Sequence, residues 1–210
     1  MHIADGVLPL ASIAAGWVGT GVVAGLTLRK APFEALPKAA VMTSGFFVAS
    51  LVHVPLGPTS IHLTLNGLVG IVLGPLAFPA ILVGLILQSL LFQHGGLLTI
   101  GANTLMLGLP ALAAYKIYAL VSRRNFSHRE AVAGFLAGSL AIFFSGLLLA
   151  LWLMTAGREF LTIARLALAS CLPLMVVEGL VCAAAAAFLA KVKPEILWRK
   201  THAVDESVLP

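Results

Sequence analysis

At 210 residues, 60% of them apolar and only 10% charged, with a mean hydropathy of +1.05, the chain exceeds what a water-soluble domain sustains. It reads as one all-α, polytopic membrane domain spanning residues 1–210, with 194–210 as a cytoplasmic tail. The formal net charge of +5 calls for no nucleic-acid partner, because Lys and Arg gather in short loops of the kind that stay cytoplasmic.

The chain opens Met1-His2, and no signal peptide is expected ahead of it. A free terminal amine, the amide nitrogen of His2 and a ring nitrogen of His2 close one five-membered and one six-membered chelate ring around a metal ion. Such a planar nitrogen set suits Ni(II) or Cu(II), and holds Co(II), in preference to zinc or magnesium. Two residues alone leave the plainer alternative open, that His2 merely follows an initiator methionine. Asp5 with Gly6 reads as a turn former, and its carboxylate is also within chain reach of the terminus and of His2.

Apolar runs bounded by charges, Pro or Gly predict about seven spans: 8–28, 36–53, 62–76, 79–93, 102–121, 130–155 and 161–190. The third and fourth are short. Each rises roughly 22 Å at about 1.5 Å per residue, less than the roughly 30 Å hydrocarbon core. Pro75 and Pro79 mark a tight turn between them. The last run is long enough to tilt or protrude. Cys171 and Cys182 fall on that one helix, too far apart to bridge, and read as small buried hydrophobes.

Arg29, Lys30, Lys38, Arg123, Arg124, Lys191, Lys193, Arg199 and Lys200 fall at alternate ends of these spans. Those ends are expected to be cytoplasmic, which places the amino terminus and the loops 53–62, 93–102 and 155–161 outside. Arg158 is the exception, offset by Glu159. On this topology His2, His53, His62 and His94 share the outer side, while His128 and His202 lie on the inner side. Gly57-Pro58-Thr59-Ser60-Ile61-His62 reads as a turn with Thr59 or Ser60 as N-cap and His62 in the first helical turn. There the helix dipole disfavours imidazolium, so His62 is the expected fourth ligand.

Several blocks, in order along the chain, resemble the CbiM/NikM family: Met1-His2-Ile3-Ala4-Asp5-Gly6-Val7-Leu8, the Gly57 to His62 block with Asn66-Gly67, Gln93-His94-Gly95-Gly96 through Asn103-Thr104, Leu172-Pro173 through Glu178-Gly179, and Lys191-Val192-Lys193-Pro194-Glu195. The resemblance covers nearly the whole chain. It implies a seven-helix bundle with an extra N-terminal helix, the substrate-capture component of an energy-coupling-factor importer for nickel or cobalt in the cell membrane. It also implies that the metal is held by the terminal amine of Met1, the backbone nitrogen and ring of His2, and the ring of His62, matching the set reached from chelate chemistry. Residue 4 is Ala where many members carry Pro or Met, and Cys171 stands where many carry His before Leu-Pro.

Asn66, one turn beyond His62, is expected either to orient a ligand or to cap a neighbouring helix. His94 and His53 border the outer loops, as interfacial residues or along an entry path. Gln88, Asn103 and Glu178 fall within spans, with Glu178 toward the cytoplasmic half and expected to hydrogen-bond between helices rather than to touch metal. Small pairs at four-residue spacing, Gly21 and Gly25, Ala35 and Ala39, Gly134 and Gly138, are expected mostly to pack the monomer.

There is no phosphate-loop motif, so ATP must be handled by other proteins. By the resemblance these partners are two cytoplasmic ATPase subunits, a transmembrane coupling subunit and often a small accessory membrane protein, all working in membrane lipid. No enzyme motif is present: no His-Glu-x-x-His, no Gly-x-Ser-x-Gly and no paired carboxylates. No resident cofactor is expected either; Ni2+ or Co2+ is the cargo. The alternative is a stand-alone secondary metal permease, which ordinarily lines its path with buried polar groups.

Overall fold

The computed structural model describes residues 2–29, 31–51, 53–56 and 59–197, with only the backbone described at 53–56 and 59–62. The apolar runs become helices α1 (Leu10–Leu28), α2 (Leu36–Ala49), α3 (Asn66–Leu73), α4 (Ala77–Phe92), α5 (Ile100–Val121), α6 (Arg129–Ala156) and α7 (Leu161–Val192). Between α2 and α3 lie two short strands, β1 (His53–Leu56) and β2 (Thr59–His62). They form an antiparallel hairpin in which His53 stands opposite His62 and Leu56 opposite Thr59.

Five stretches are long and apolar enough to cross a membrane, with α3 and α4 counted together as one run, Asn66–Phe92. Packing folds that run back on itself. Asn66 reaches Leu107 and Gly70 abuts Ala111, so α3 descends alongside α5 in the same sense. By contrast Phe78, at the start of α4, abuts Gly108, and the end of α4 joins the start of α5 through the short stretch 93–99. The helix α4 therefore runs opposite to α5. The break between α3 and α4 is a single 3-10 turn, Gly74–Leu76, where Pro75 withholds an amide proton. Pro79 lies in the first turn of α4, not in the break; its missing N–H is no loss there. The sequence predicts seven crossings, but α3, with eight residues and a length of about 12 Å, reaches only half-way. The 14-residue α2 is also too short to qualify as a candidate span.

The remaining senses follow from contacts. Gly16 packs on Ala102 and Gly19 on Leu105, so α1 and α5 run parallel. Tyr118 donates to Glu130, and Gly134 meets Ala186 while Gly146 meets Cys171; hence α6 is antiparallel to both α5 and α7. One face of the bundle thus gathers residues 2–9, 93–99 and, through the Ser12–Thr155 hydroxyl contact of 2.9 Å, the α6–α7 turn. The opposite face gathers the ends of α1, α5 and α7. There Lys38 donates to the Ile196 carbonyl at 3.2 Å, tying α2 to the C-terminal turn.

The bundle is sorted for lipid rather than water. Val18, Val22 and Leu26 on α1, and Leu172, Val176 and Leu180 on α7, point outward, whereas Thr20, Asn66, Gln88, Asn103, Ser145 and Glu178 are buried. Since lipid gives no hydrophobic drive between helices, close backbone approach and internal hydrogen bonds carry the association. Gly134 and Gly138 do this by meeting Cys182 on α7, so that pair packs the monomer as expected. Ala35 and Ala39 pack against the main apolar core. Gly21 and Gly25 differ, since a side chain added at either would meet nothing within 4 Å. Cys171 and Cys182 are buried thiols that are not joined in a disulfide.

Candidate metal site

Ile3, only 3% exposed, is bound from two sides by α5. Its N–H donates to Asn103 Oδ1 at 2.9 Å, and its carbonyl accepts from Asn103 Nδ2 at 3.0 Å and from Thr99 Oγ1 at 2.7 Å. A carboxamide offers one donor and one acceptor side by side, so Asn103 pairs with the Ile3 backbone as a neighbouring strand would. That clasp fixes His2 one residue upstream. Asp5 completes the fastening: its Oδ1 accepts from the amides of Leu98 at 3.0 Å and Thr99 at 3.2 Å. These amides open α5, where a helix leaves its donors unpaired and favours a negative group. The carboxylate thus serves the start of α5, and its turn with Gly6 stands as expected.

The loop beneath must let the N-terminal segment come close. Gly95 has φ +74, and a side chain there would sit 3.5 Å from His2 Cβ and 3.1 Å from Asn103 Nδ2. At Gly96 it would overlap the Asp5 carboxyl group. The Gly95-Gly96 pair is therefore the seat of residues 2–5. The indole of Trp17 donates to the Leu98 carbonyl at 2.9 Å, and Thr20 to that of Gly101 at 2.7 Å, which locks α1 onto the same loop and helix start.

The second arm of the site is the joint between β2 and α3. Residues 59–62 form a strand and α3 begins at Asn66, so His62 is not in a first helical turn and neither Thr59 nor Ser60 caps the helix. The sequence reading fails here because the cap is distant in the chain: Glu178 of α7 accepts from the amides of Thr64 and Leu65. Leu65 itself is left-handed, φ 49, an unusual backbone for a branched residue. The Thr64 hydroxyl lies 3.1 Å from Glu178 Oε1 and 3.3 Å from Asn66 Oδ1. Asn66 Nδ2 then donates to the Leu107 carbonyl at 3.2 Å and to Ser145 Oγ at 2.9 Å. Three helices hold this joint, and Glu178 sits near the middle of α7 with backbone partners.

The two arms converge on one helix. Asn103 holds Ile3 and Leu107 holds Asn66, and residues four apart lie one above the other on a helix face. Ile3 and Asn66 therefore meet α5 one turn apart. Met1, Gly57 and Pro58 lie outside the described residues, as do the side chains of His53 and His62 and the tail from 198 onward, including His202. His94 is half-buried, its ring 6.2 Å from that of Phe92. Among the described residues no group of three or more His, Cys, Asp or Glu side chains is placed to hold a metal. The clasp by Asn103 was legible only as a polar residue in a span, though its spacing from Thr99 already put two hydrogen-bonding side chains on one face.

The family model described as "Cobalt uptake substrate-specific transmembrane region", CbiM, matches residues 2–196. A Haemophilus influenzae protein named for metal transport is 32% identical over 201 residues, covering 95% of this chain and 98% of its own. The cobalt transport protein CbiM of Sorangium cellulosum is 33% identical, with 95% of each chain covered. A crystal structure titled as a transition metal transporter superposes with a TM-score of 0.75 over 93% of this chain and 95% of its own, at 22% identity, and so shares the fold. The chain belongs to the CbiM family and is a multi-pass membrane protein of metal transport.

Proposed function

We propose that this chain captures Ni2+ or Co2+ as the substrate-specific component of an ATP-driven energy-coupling-factor importer. The ion is held by the Met1 amine, the amide and ring of His2, and the ring of His62. The observation that carries this reading is the clasp of Ile3 by Asn103 and Thr99, which holds His2, one residue upstream, at the mouth of the bundle. A relative in the family is named for cobalt, and both ions accept the nitrogen set.

The amino-terminal face is the outer one. Arg29, Lys38, Arg123, Arg124, Lys191 and Lys193 fall at the opposite face, in keeping with the retention of basic loops in the cytoplasm. Exchange of bound water for nitrogens would occur outside, and reorientation by the coupling subunit would open the site inward. The partners in this reading are that coupling subunit, two cytoplasmic ATPase subunits and a small accessory membrane protein. The chain is a transport component rather than an enzyme, and the ion is cargo, not a cofactor.

Reconstitution separates this from a stand-alone permease. In proteoliposomes, the chain alone is expected to bind metal without accumulating it, and uptake is expected only with the coupling subunit, the ATPases and ATP. Accumulation by the chain alone, driven by an ion gradient, would sink the importer reading.

Binding at this site displaces protons from the amine and the amide and requires neutral imidazoles. Lower pH therefore weakens capture. Below an ordinary imidazole pKa of about 6.5, affinity is expected to fall roughly tenfold or more per pH unit. Competition titrations with Ni2+ across pH 5 to 8 in detergent would read this; a flat profile would argue against nitrogen ligands that carry protons.

A further inference from the structure

Gln88 is fully buried, yet neither its Oε1 nor its Nε2 has a hydrogen-bond partner among the described residues. Buried amides are ordinarily paired, because desolvation without compensation is costly. Gln88 shares a face of α4 with Leu85 and Ile81, three and seven residues back, and those two belong to the apolar core that also receives Ile3 and Leu8. It is the outermost member of that face. Its backbone carbonyl accepts from the His94 amide at 3.3 Å, and the next residue is Gly95, where a side chain would lie 3.7 Å from His2 Cδ2. Gln88 and the His2 ring thus flank the same short loop.

Resting on the ligand set proposed above, we propose that Gln88 is a positioning residue of the metal site, its Oε1 accepting the Nε2–H of the metal-bound His2 ring. The chelate dictates the need. A six-membered ring through the His2 amide closes on Nδ1, so Nε2 carries the proton and points away from the ion. A ligating imidazole ordinarily donates that second N–H to a fixed acceptor, which orients the ring and raises its basicity. Cδ2, the atom bonded to Nε2, is on the edge that faces Gly95, and the buried unclaimed acceptor beside that loop is Gln88.

The test uses protein with its native start, in detergent, titrated with Co2+ and Ni2+, and melted without metal. Gln88→Met keeps the volume and removes the acceptor. It is expected to weaken metal binding roughly 10–100-fold, the usual cost of losing an outer-sphere partner, and to leave the metal-free melting temperature unchanged or raised. Gln88→Glu restores an acceptor at the same reach and is expected to recover most of the affinity. Wild-type affinity in Gln88→Met, alongside lost binding in His2→Ala, would overturn the role of Gln88 while leaving the ligand set standing. A lowered metal-free melting temperature in Gln88→Met would overturn it too, by showing an ordinary packing role. Undiminished binding by protein extended ahead of Met1 would instead overturn the ligand set, and this assignment with it.

Discussion

Extending the chain by a few residues before Met1 is expected to abolish tight Ni2+ or Co2+ binding while leaving the metal-free protein as stable as before. Two separate physical effects lead there. An extension turns the terminal amine into an amide nitrogen, which is no longer a basic donor, so the five-membered chelate ring loses its first atom. The added residues must also leave the bundle mouth past Ile3, which is 3% exposed and pinned on both sides of its peptide by Asn103. The loss should exceed the roughly 10–100-fold that follows from removing an outer-sphere group, because a ligand itself is gone. Folding should be spared, since the contacts of Ile3 and Asp5 with α5 involve nothing upstream of residue 3. Metal content after purification, and melting curves with and without added metal, check both halves of the expectation. Equal metal in extended and native protein would remove the terminal amine from the site.

Much of this arrangement is legible in the amino-acid order, and the part that is not has a physical cause. The spans of α1, α5, α6 and α7 are long apolar runs ending at Arg, Lys or Gly, and bilayer thickness alone marks them; their bounds in the structure depart from the sequence reading by one or two residues. The alternation of chain direction also holds, because short connections leave little choice. What local sequence cannot show is a helix whose start is set from elsewhere. The Gly-Pro-Thr-Ser run looks like a cap, yet α3 starts at Asn66 because Glu178, 114 positions from Thr64, supplies the acceptor. Likewise, the role of Asn103 depends on a backbone 100 positions away. Polar residues in a membrane bundle announce that they are paired, but not with what. Met1, His2 and His62 were reached from chelate chemistry and the family's motif, and the folded chain adds the clasp at Ile3 and the three-helix joint at residues 64–66.

That joint carries the second large expectation. Glu178→Ala is expected to cost stability and metal affinity together, whereas Glu178→Gln spares most of both. In the bundle interior no water replaces the lost carboxylate, so the amides of Thr64 and Leu65 are left unsatisfied. At about 1–3 kcal/mol for each such group, the two together cost roughly 2–6 kcal/mol. The left-handed Leu65, φ 49, then loses the contact that holds it, and the strand ending at His62 loses its fixed entry into the bundle. A glutamine keeps an oxygen in the same place and can still accept from both amides, which is why its effect should stay near or below about 1.5 kcal/mol, the net worth of an ordinary hydrogen bond. Melting in detergent reads the first quantity, and Co2+ titration on the folded fraction reads the second. The two readouts need to move together, because in the proposed site Glu178 would act on the metal only through the backbone that leads from His62 into α3. A Glu178→Ala protein that melts early yet binds cobalt as tightly as the parent would detach this joint from the site, and place the grip on the ion with the amino-terminal arm alone.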